Sequence, residues 1–246
     1  MSCLSVCIVT KNEEHNIESA LKSVMFADEI IVVDSYSSDR TVELCKQYTN
    51  KIHLNTWEGC GIQKKFALEQ ATQEWVLILD ADERVSSELQ QEIQDIVKNN
   101  STPYSGFVIP FQSFYLGKPV KFGNWHNEQH LRLFRRVDGE IIPTFVHFGL
   151  KVTGKTGSLK HYILHYSFPN VETVLNKMNL YSSLGAKDQL QSGKKANIFT
   201  AIFHGVFAFL KGYIFRLGFL DGKYGFMVAV AQAEGAYYKY VKLMLL

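Results

Sequence analysis

The chain has 246 residues, of which 46% are hydrophobic and 20% are charged, a composition that can bury a core and excludes a disordered chain. The net charge of +2 conceals a division at Leu150, because residues 1–150 carry a charge of −6 and the rest a charge of +8. Since the first part is acidic and the aromatic residues of the second lie in apolar runs, no nucleic acid is expected as a partner.

The cysteines all lie in the first quarter of the chain, at positions 3, 7, 45 and 60, without the paired spacing of a zinc site. We interpret them as small core residues of a protein in a reducing compartment. The N-terminus has no basic region followed by a long apolar stretch and a cleavage site, so no export signal is expected. We therefore expect a protein that is cytosolic or lies on the cytosolic side of a membrane. The C-terminal residues described below favour a peripheral position on the inner face of the cytoplasmic membrane.

Three apolar runs rich in β-branched residues, at 4–9, 29–33 and 75–79, are typical of strands that are buried on both faces. Between them, apolar residues recur at helical spacing from Ile17 and again from Val42. Alternating strands and helices predict an α/β domain with a parallel sheet and right-handed crossovers. Ligands of such sheets bind beyond the carboxyl ends of the strands.

Polar and acidic residues follow each of these strands, in the segments 10–14, 34–39 and 80–83. One interpretation is that acids such as Asp34 and Asp39 only cap the helices that follow. Capping needs one acceptor per helix, however, and this edge supplies more acids than that. A ligand site at the same edge is the other interpretation.

Asp80 and Asp82 are the most informative of these acids. With one residue between them in an extended segment, their side chains would lie on the same side of the chain. Crowded carboxylates repel each other unless a cation or a proton offsets the repulsion. Mg²⁺ and Mn²⁺ commonly bind one or two protein carboxylates and fill their remaining positions with water and substrate phosphates.

Four segments resemble the family 2 glycosyltransferases of the GT-A fold: SVCIVTKNEE at 5–14, EIIVVDSYSSDRT at 29–41, GCGIQKKFALEQA at 59–71 and WVLILDADERV at 75–85. Their order and spacing match the nucleotide-sugar half of that family across about the first 90 residues. The resemblance implies a Rossmann-like GT-A domain with a mostly parallel central sheet.

Four further segments resemble the bacterial lipopolysaccharide core glucosyltransferases that act on inner-core heptose or Kdo. They are GNWHNEQHLRLFRR at 123–136, FVHFGL at 145–150, HYS at 165–167 and FRLGFLDGKYGF at 215–226. The resemblance implies an inverting transferase that passes a hexose, with glucose expected, from a UDP-sugar to a lipid-linked core oligosaccharide.

By this resemblance, Thr10 and Glu13 would hold the nucleoside, and Asp34 would accept a hydrogen bond from the uracil. Lys64 stands where many relatives have an arginine that reaches the base or the diphosphate, and Gln63 lies beside it. The alternative for Gln63 and Lys64 is an exposed start of a helix.

The resemblance also implies Mn²⁺ or Mg²⁺ as the cofactor. Asp82 would bind the metal directly, and Asp80 would contact the ribose or the metal. His165 would complete the metal's ligand shell, although a lone histidine is more often a packing residue.

Glu128 is the expected catalytic base, because relatives have an acid a few residues before an Arg-Leu-Phe segment, here Arg132 to Phe134. A salt bridge with Arg132 is the alternative role for Glu128. Relatives commonly have His-Glu where this chain has His147-Phe148. If that glutamate is the base of the family, the assignment of Glu128 is wrong or this protein is impaired.

The last part of the chain favours a membrane surface. Residues 196–246 contain 12 aromatic side chains interleaved with Lys and Arg, a pattern typical of helices at the interface of an anionic membrane. The apolar stretch 198–210 is expected to be too short to span, since crossing takes ~20 residues and Lys211 and Arg216 follow. A helical cap that packs on the sheet is the alternative.

These patterns predict a GT-A domain at 1–168 and a helical region at 169–246. The nucleotide-sugar half of the GT-A domain would cover about 1–100 and the acceptor half about 101–168. Two other functions stay open, a nonenzymatic protein that binds nucleotide sugars or membranes and a glycosyltransferase for another cell-envelope polysaccharide. A nucleotidyltransferase is disfavoured because no glycine-rich phosphate loop follows the first strand.

Overall fold

The computed structural model describes residues 3–99, 102–125, 127–142 and 149–246. The strands within these ranges are β1 Leu4–Thr10, β2 Glu29–Asp34, β3 Lys51–Leu54, β4 Trp75–Asp80, β5 Glu83–Val85, β6 Gly106–Tyr115, β7 Lys118–Val120, β8 Gln129–Arg135, β9 Gly139–Ile142, β10 Gly149–Val152, β11 Thr156–Ser158 and β12 Ile163–Phe168. The α-helices are α1 Ile17–Ser23, α2 Thr41–Cys45, α3 Cys60–Gln70, α4 Ser87–Lys98, α5 Val171–Gln191, α6 Ile198–Leu210 and α7 Gly222–Leu245.

The chain divides into two compact units. The first comprises Met1–Phe111 and Gln129–His165, and the second comprises Gln112–Glu128 and Tyr166–Leu246. These ranges differ from the expected division at residue 168, because residues 112–128 cluster with the C-terminal helices.

The sheet of the first unit has a parallel centre. Strands β3, β2, β1 and β4 lie side by side in that order and run parallel. Because Thr10 pairs with Asp34 and Val9 pairs with Asp80, the carboxyl ends of β1, β2 and β4 meet at one edge. Beyond β4 the sheet continues with β8, which is antiparallel to β4, and then with β6, which is antiparallel to β8. The predicted α/β class, with a parallel central sheet and a C-terminal helical region, is confirmed.

Both faces of β1 and β4 are covered, which explains their continuous apolar runs. On one face, Val6 and Ile8 of β1 join a cluster with residues of α1 and α4. On the other face, Cys7 and Val9 join a cluster with Ala67 of α3. Burial raises the pKa of the thiols of Cys7 and Cys45, that of Cys45 to about 12, which agrees with their interpretation as core residues.

In the second unit, α7 packs against both α5 and α6. Residues 216–221, which precede α7, bind the backbone of the loop 121–125. The Asp221 carboxylate accepts hydrogen bonds from the N–H groups of Lys121 and Phe122, at 3.0 and 2.8 Å. The carbonyl of Arg216 accepts the N–H of Gly123 at 2.9 Å. The loop and the segment 216–221 are therefore built as one piece.

Two glycines allow the backbone to cross closely beside this segment. A Cβ atom at Gly225 would lie 1.8 Å from the carbonyl oxygen of Gly218, and a Cβ at Gly218 would lie 2.7 Å from that of Gly212. No larger side chain fits at either position without moving the backbone.

Helix α6 does not stop where the apolar stretch was expected to end. It continues through one π-helical turn, Lys211–Phe215. The resulting helical run, Ile198–Phe215, has a mean hydropathy of 1.6 and is long and apolar enough to cross a membrane by length and composition alone. Core helices of soluble proteins can have the same composition, although only 17% of this run is buried.

Candidate active site

The acidic residues after β4 lie at the edge where β1, β2 and β4 end. Asp80 is the last residue of β4, Ala81 and Asp82 form a turn, and Glu83 begins β5. The expected extended segment is thus a turn at Asp82. The negative charge of Asp82 nevertheless acts on the Asp80 carboxyl, so the two acids are neighbours.

Lys64 is the principal partner of Asp80. Its Nζ lies 2.7 Å from Oδ1 and 2.9 Å from Oδ2 of Asp80, and its side chain is only 1% exposed. Arg132 Nη2 lies 3.5 Å from the same carboxylate. Burial opposes ionisation of Asp80, but the charges of Lys64 and Arg132 outweigh it and hold its pKa below the ordinary value. Asp80 is therefore a carboxylate at neutral pH, with 32% of its side chain exposed.

Glu83 stabilises the turn through its buried side chain. Its buried carboxylate accepts a hydrogen bond from Arg132 Nη2 at 2.6 Å and another from the N–H of Asp80 at 2.9 Å. Burial raises the pKa of Glu83, and the charge of Arg132 opposes that effect. A buried arginine thus joins the first and last residues of the turn.

His165 of β12 faces Asp82, with 3.6 Å between Nε2 and Oδ1. Burial lowers the pKa of His165, but the adjacent carboxylate of Asp82 outweighs that effect and raises it. Within the described residues, no group of three or more His, Cys, Asp or Glu side chains is placed to share a metal ion. The carboxylates of Asp80 and Asp82 still fit a hard divalent ion, because Mg²⁺ needs only one or two carboxylates when phosphates supply the rest.

Two hydroxyls at the ends of β1 and β2 have unused hydrogen-bonding capacity. Thr10 Oγ1 and Ser35 Oγ are buried and lack a hydrogen-bond partner among the described residues. Such a group costs about 1–3 kcal/mol unless water or a ligand satisfies it. Thr10 was expected to contact a nucleoside, whereas Ser35 was not singled out from the sequence.

The acids of the loops after β1 and β2 accept hydrogen bonds from nearby backbone and side-chain groups. Asp34 is fully buried and accepts hydrogen bonds from the N–H, at 2.8 Å, and the hydroxyl of Ser37. Asp39 accepts the N–H of Thr41, the first residue of α2, at 3.0 Å. Glu13 accepts a hydrogen bond from Asn16 at 2.8 Å.

Gln63 and Lys64 are both buried in α3, so the alternative of an exposed helix start is wrong for both. The amide of Gln63 donates to the carbonyls of Asn55 and Thr56, at 3.1 and 2.7 Å. It thereby fixes the loop between β3 and α3, whereas Lys64 reaches Asp80.

Glu128 lies in the second unit and directly precedes β8. Its carboxylate accepts a hydrogen bond from the hydroxyl of Ser113 at 3.4 Å, and its N–H donates to the carbonyl of Trp125 at 3.3 Å. The other position considered for the base, His147-Phe148, lies outside the described residues.

The structure therefore brings together Lys64, Asp80, Asp82 and His165 from the predicted site. It adds Glu83 and Arg132, whose roles sequence reasoning missed. No local signal identified Arg132, because a charged residue between Leu131 and Leu133 fits a strand with one face in solvent equally well.

Comparison with known proteins gives consistent relatives. The sequence model of Glycosyl transferase family 2 matches residues 5–151. A protein named uncharacterized glycosyltransferase in Rickettsia prowazekii (strain Madrid E) is 33% identical over 99% of this chain and 87% of its own length. The lipopolysaccharide core biosynthesis glycosyltransferase LpsC of Rhizobium meliloti (strain 1021) is 31% identical over 98% of this chain and 91% of its own.

A further relative matches only part of the chain. The poly(ribitol-phosphate) beta-N-acetylglucosaminyltransferase TarS of Staphylococcus aureus (strain Mu50 / ATCC 700699) is 33% identical over 36% of this chain and 18% of its own. Among solved structures, S. aureus TarS 1-349 in complex with UDP-GlcNAc has a TM-score of 0.48 and 17% identity, covering 76% of this chain and 66% of that one.

Proposed function

The chain belongs to glycosyl transferase family 2, and from that membership we propose that it is an inverting, metal-dependent hexosyltransferase. Its donor would be a UDP-sugar, and we expect the transferred hexose to be glucose. We propose the inner core of lipopolysaccharide, at heptose or Kdo, as its acceptor. The observation that carries the proposal is the pair of carboxylates at the end of β4, Asp80 and Asp82, which contact Lys64, Arg132 and His165. The likeness to LpsC over nearly the whole chain supports the acceptor class.

The donor would bind at the edge where β1, β2 and β4 end. Asp82 and Asp80, with His165, would hold Mn²⁺ or Mg²⁺, and the ion would stabilise the charge of the departing diphosphate as a Lewis acid. Lys64 fixes the Asp80 carboxylate and keeps it ionised. The hydroxyls of Thr10 and Ser35 supply unused hydrogen-bonding capacity for a nucleoside, and Glu13, Asp34 and Gln63 remain proposed donor-binding residues.

Glu128 would act on the acceptor. An attacking sugar hydroxyl has a high pKa, so a carboxylate beside it must take the proton as the new bond forms. Because the reaction is a single displacement, an α-linked UDP-sugar gives a β-linked product. No covalent enzyme intermediate is required.

The C-terminal helices would bring the protein to the cytoplasmic face of an anionic membrane. Phe199 and Phe203 of α6 are 77% and 64% exposed, and Lys194, Lys195 and Lys211 flank this helix. Exposed aromatic bulk bordered by lysine suits a peripheral position at a lipid interface.

A glycosyltransferase for another envelope polysaccharide is the second candidate, favoured by the partial match to TarS. Titration with UDP in the presence and absence of Mn²⁺, followed by a panel of UDP-sugars with truncated core lipopolysaccharide, separates the candidates. We expect metal-dependent UDP binding and transfer from one UDP-hexose. Metal-dependent binding without transfer to this acceptor would favour the second candidate, and no metal-dependent binding would favour a nonenzymatic protein.

A further inference from the structure

The second unit contains a cavity of about 400 Å³ among its helices, a size typical of ligand sites. Its walls are mostly apolar and include Val174, Met178, Val228 and Ala231. Val174 and Val228 are buried, whereas Tyr181, which also lines the cavity, is 52% exposed. The cavity therefore runs from the interior of the helical group toward solvent.

The charged groups of this cavity are of one sign. Lys177 of α5 and Lys239 of α7 line it, and no Asp or Glu does so among the described residues. The Lys177 ammonium lies 5.3 Å from the centre of the Phe168 ring, and that of Lys239 lies 4.8 Å from the centre of the Tyr240 ring. An apolar interior bordered by two lysine side chains suits an alkyl chain that carries an anionic head.

One wall of the cavity belongs to the segment that carries the proposed base. Trp125 lines the cavity, and its carbonyl accepts the N–H of Glu128 at 3.3 Å. An occupant of the cavity would thus be adjacent to the residues that act on the acceptor. This adjacency favours the acceptor lipid over any other lipid.

We propose that this cavity binds an acyl chain of the anionic, lipid-linked acceptor, with Lys177 and Lys239 facing its anionic groups. The inference rests on the proposed function, since it assumes that the acceptor is lipid-linked. It adds a binding site whose lining residues all belong to the second unit.

Gly235 offers a way to fill the cavity without disturbing its helix. A Cβ atom there would lie 3.5 Å from Met178 Cγ, an ordinary van der Waals contact. Gly235→Leu places the rest of the side chain in the cavity and replaces a poor helix former with a good one. Asn176→Leu is the matched control, because Asn176 is exposed on α5 and does not line the cavity.

Dodecyl phosphate below its micelle concentration is the probe, measured by titration calorimetry, with dodecyltrimethylammonium as the cationic counterpart. We expect wild type to bind one dodecyl phosphate and to prefer it over the cation. Gly235→Leu should weaken binding by about tenfold or more, roughly the loss of 1.4 kcal/mol. Lys177→Gln should weaken it less, and Asn176→Leu should leave it unchanged. Equal binding by wild type and Gly235→Leu would refute the site, as would equal binding of both amphiphiles.

Transfer assays decide whether the occupant is the acceptor. Gly235→Leu should raise the KM for acylated core lipopolysaccharide, leave kcat unchanged and have no effect on a deacylated acceptor. An unchanged KM, with dodecyl phosphate binding lost, would assign the cavity to another lipid and overturn the proposal. UDP binding serves as the control for the first unit, and it should be the same in every variant. Absence of transfer to any lipid-linked acceptor would refute the proposed function and the assignment of the acceptor to the cavity. The calorimetry would still decide whether the cavity binds an alkyl chain.

Discussion

Lys64 has its ammonium group inside the protein, and Asp80 compensates that charge. Lys64→Met should lower the free energy of unfolding by about 2–4 kcal/mol, because removing one partner leaves a poorly compensated carboxylate. Urea unfolding measures the change. Lys65→Met is the control, since Lys65 is exposed on the same helix and its loss should cost little. If the Lys64→Met, Asp80→Asn double variant is no more stable than Lys64→Met, the pairing is not the cause.

Asp82→Ala tests the proposed metal site. The variant should lose transfer and metal-dependent UDP binding, because it removes the carboxylate that is not paired with Lys64. The fold should survive, as judged by circular dichroism and thermal unfolding, since the Lys64, Asp80, Arg132 and Glu83 contacts remain. Wild-type turnover in Asp82→Ala would exclude the metal role. Asp95→Ala, at an exposed acid of α4, should behave as wild type.

Glu128→Gln tests the proposed base. It should keep UDP-sugar binding but lower kcat by ~100-fold, the usual scale for a positioned base. Steady-state kinetics with saturating donor measures the change, and Glu140→Gln at an exposed position of β9 provides the control. An undiminished rate would move the role to another acid.

At the scale of single residues, the sequence predicts groups that lie next to strand ends. Asp80 and Asp82 follow an apolar run directly, so their place at the edge of the sheet follows from the chain itself. Arg132 lies some 50 residues further along, and its contact with Glu83 depends on antiparallel β8 lying beside β4. No local pattern determines that pairing, because strand order in a sheet is set by long-range packing.

At the scale of elements, Glu29 joins three strands. Its buried carboxylate, at the start of β2, accepts hydrogen bonds from Ser5 of β1, Lys51 of β3 and Thr72. Burial alone would raise the pKa of Glu29, but these hydrogen bonds outweigh it and lower the pKa from 4.5 to about 2. Because the pKa of Glu29 is lower in the folded protein, its ionisation stabilises the fold at pH values above the unfolded-state pKa of 4.5. That stabilisation disappears as the pH falls from 4.5 toward 2.

Glu29→Gln should therefore reduce the acid sensitivity of the fold. We expect the variant to be less stable than wild type by about 3 kcal/mol at pH 6, and the difference to shrink at pH 3. Urea unfolding at both pH values measures it. Glu43→Gln, at an exposed position of α2, should leave the pH dependence of wild type unchanged. A Glu29→Gln difference that is the same at both pH values would contradict the assignment.

Helix lengths show another limit of sequence reasoning. The apolar stretch at 198–210 was readily predicted as a helix, but Lys211 and Arg216 suggested that it ended there. The structure continues through a π turn, which adds a residue to the helical turn and accommodates Lys211 within the run. Charge alone is a weak stop signal for a helix, because a long side chain can extend away from an apolar face.

At the scale of the whole molecule, we propose that the positive charge of the C-terminal part and its exposed aromatic residues both contribute to membrane binding. The protein should sediment with vesicles that contain phosphatidylglycerol and bind neutral phosphatidylcholine vesicles more weakly, with an affinity that falls as salt rises. Replacing Phe199 and Phe203 by Ser should weaken binding to both kinds of vesicle, because both side chains are exposed. Ser replacement of Tyr162, an exposed aromatic residue of the first unit, is the control. Equal binding to neutral and anionic vesicles would exclude the electrostatic contribution.

The hydrogen bonds of Asp221 and Arg216 to the loop 121–125 bear on how the protein can be dissected. A fragment that ends at residue 168 would retain the loop while losing every one of those contacts. The loop would then lose its hydrogen bonds to residues 216–221, next to the segment that leads to Glu128. Deletion is consequently a poor way to separate the proposed membrane attachment from sugar transfer, and point substitutions at exposed residues of α6 are the better tool.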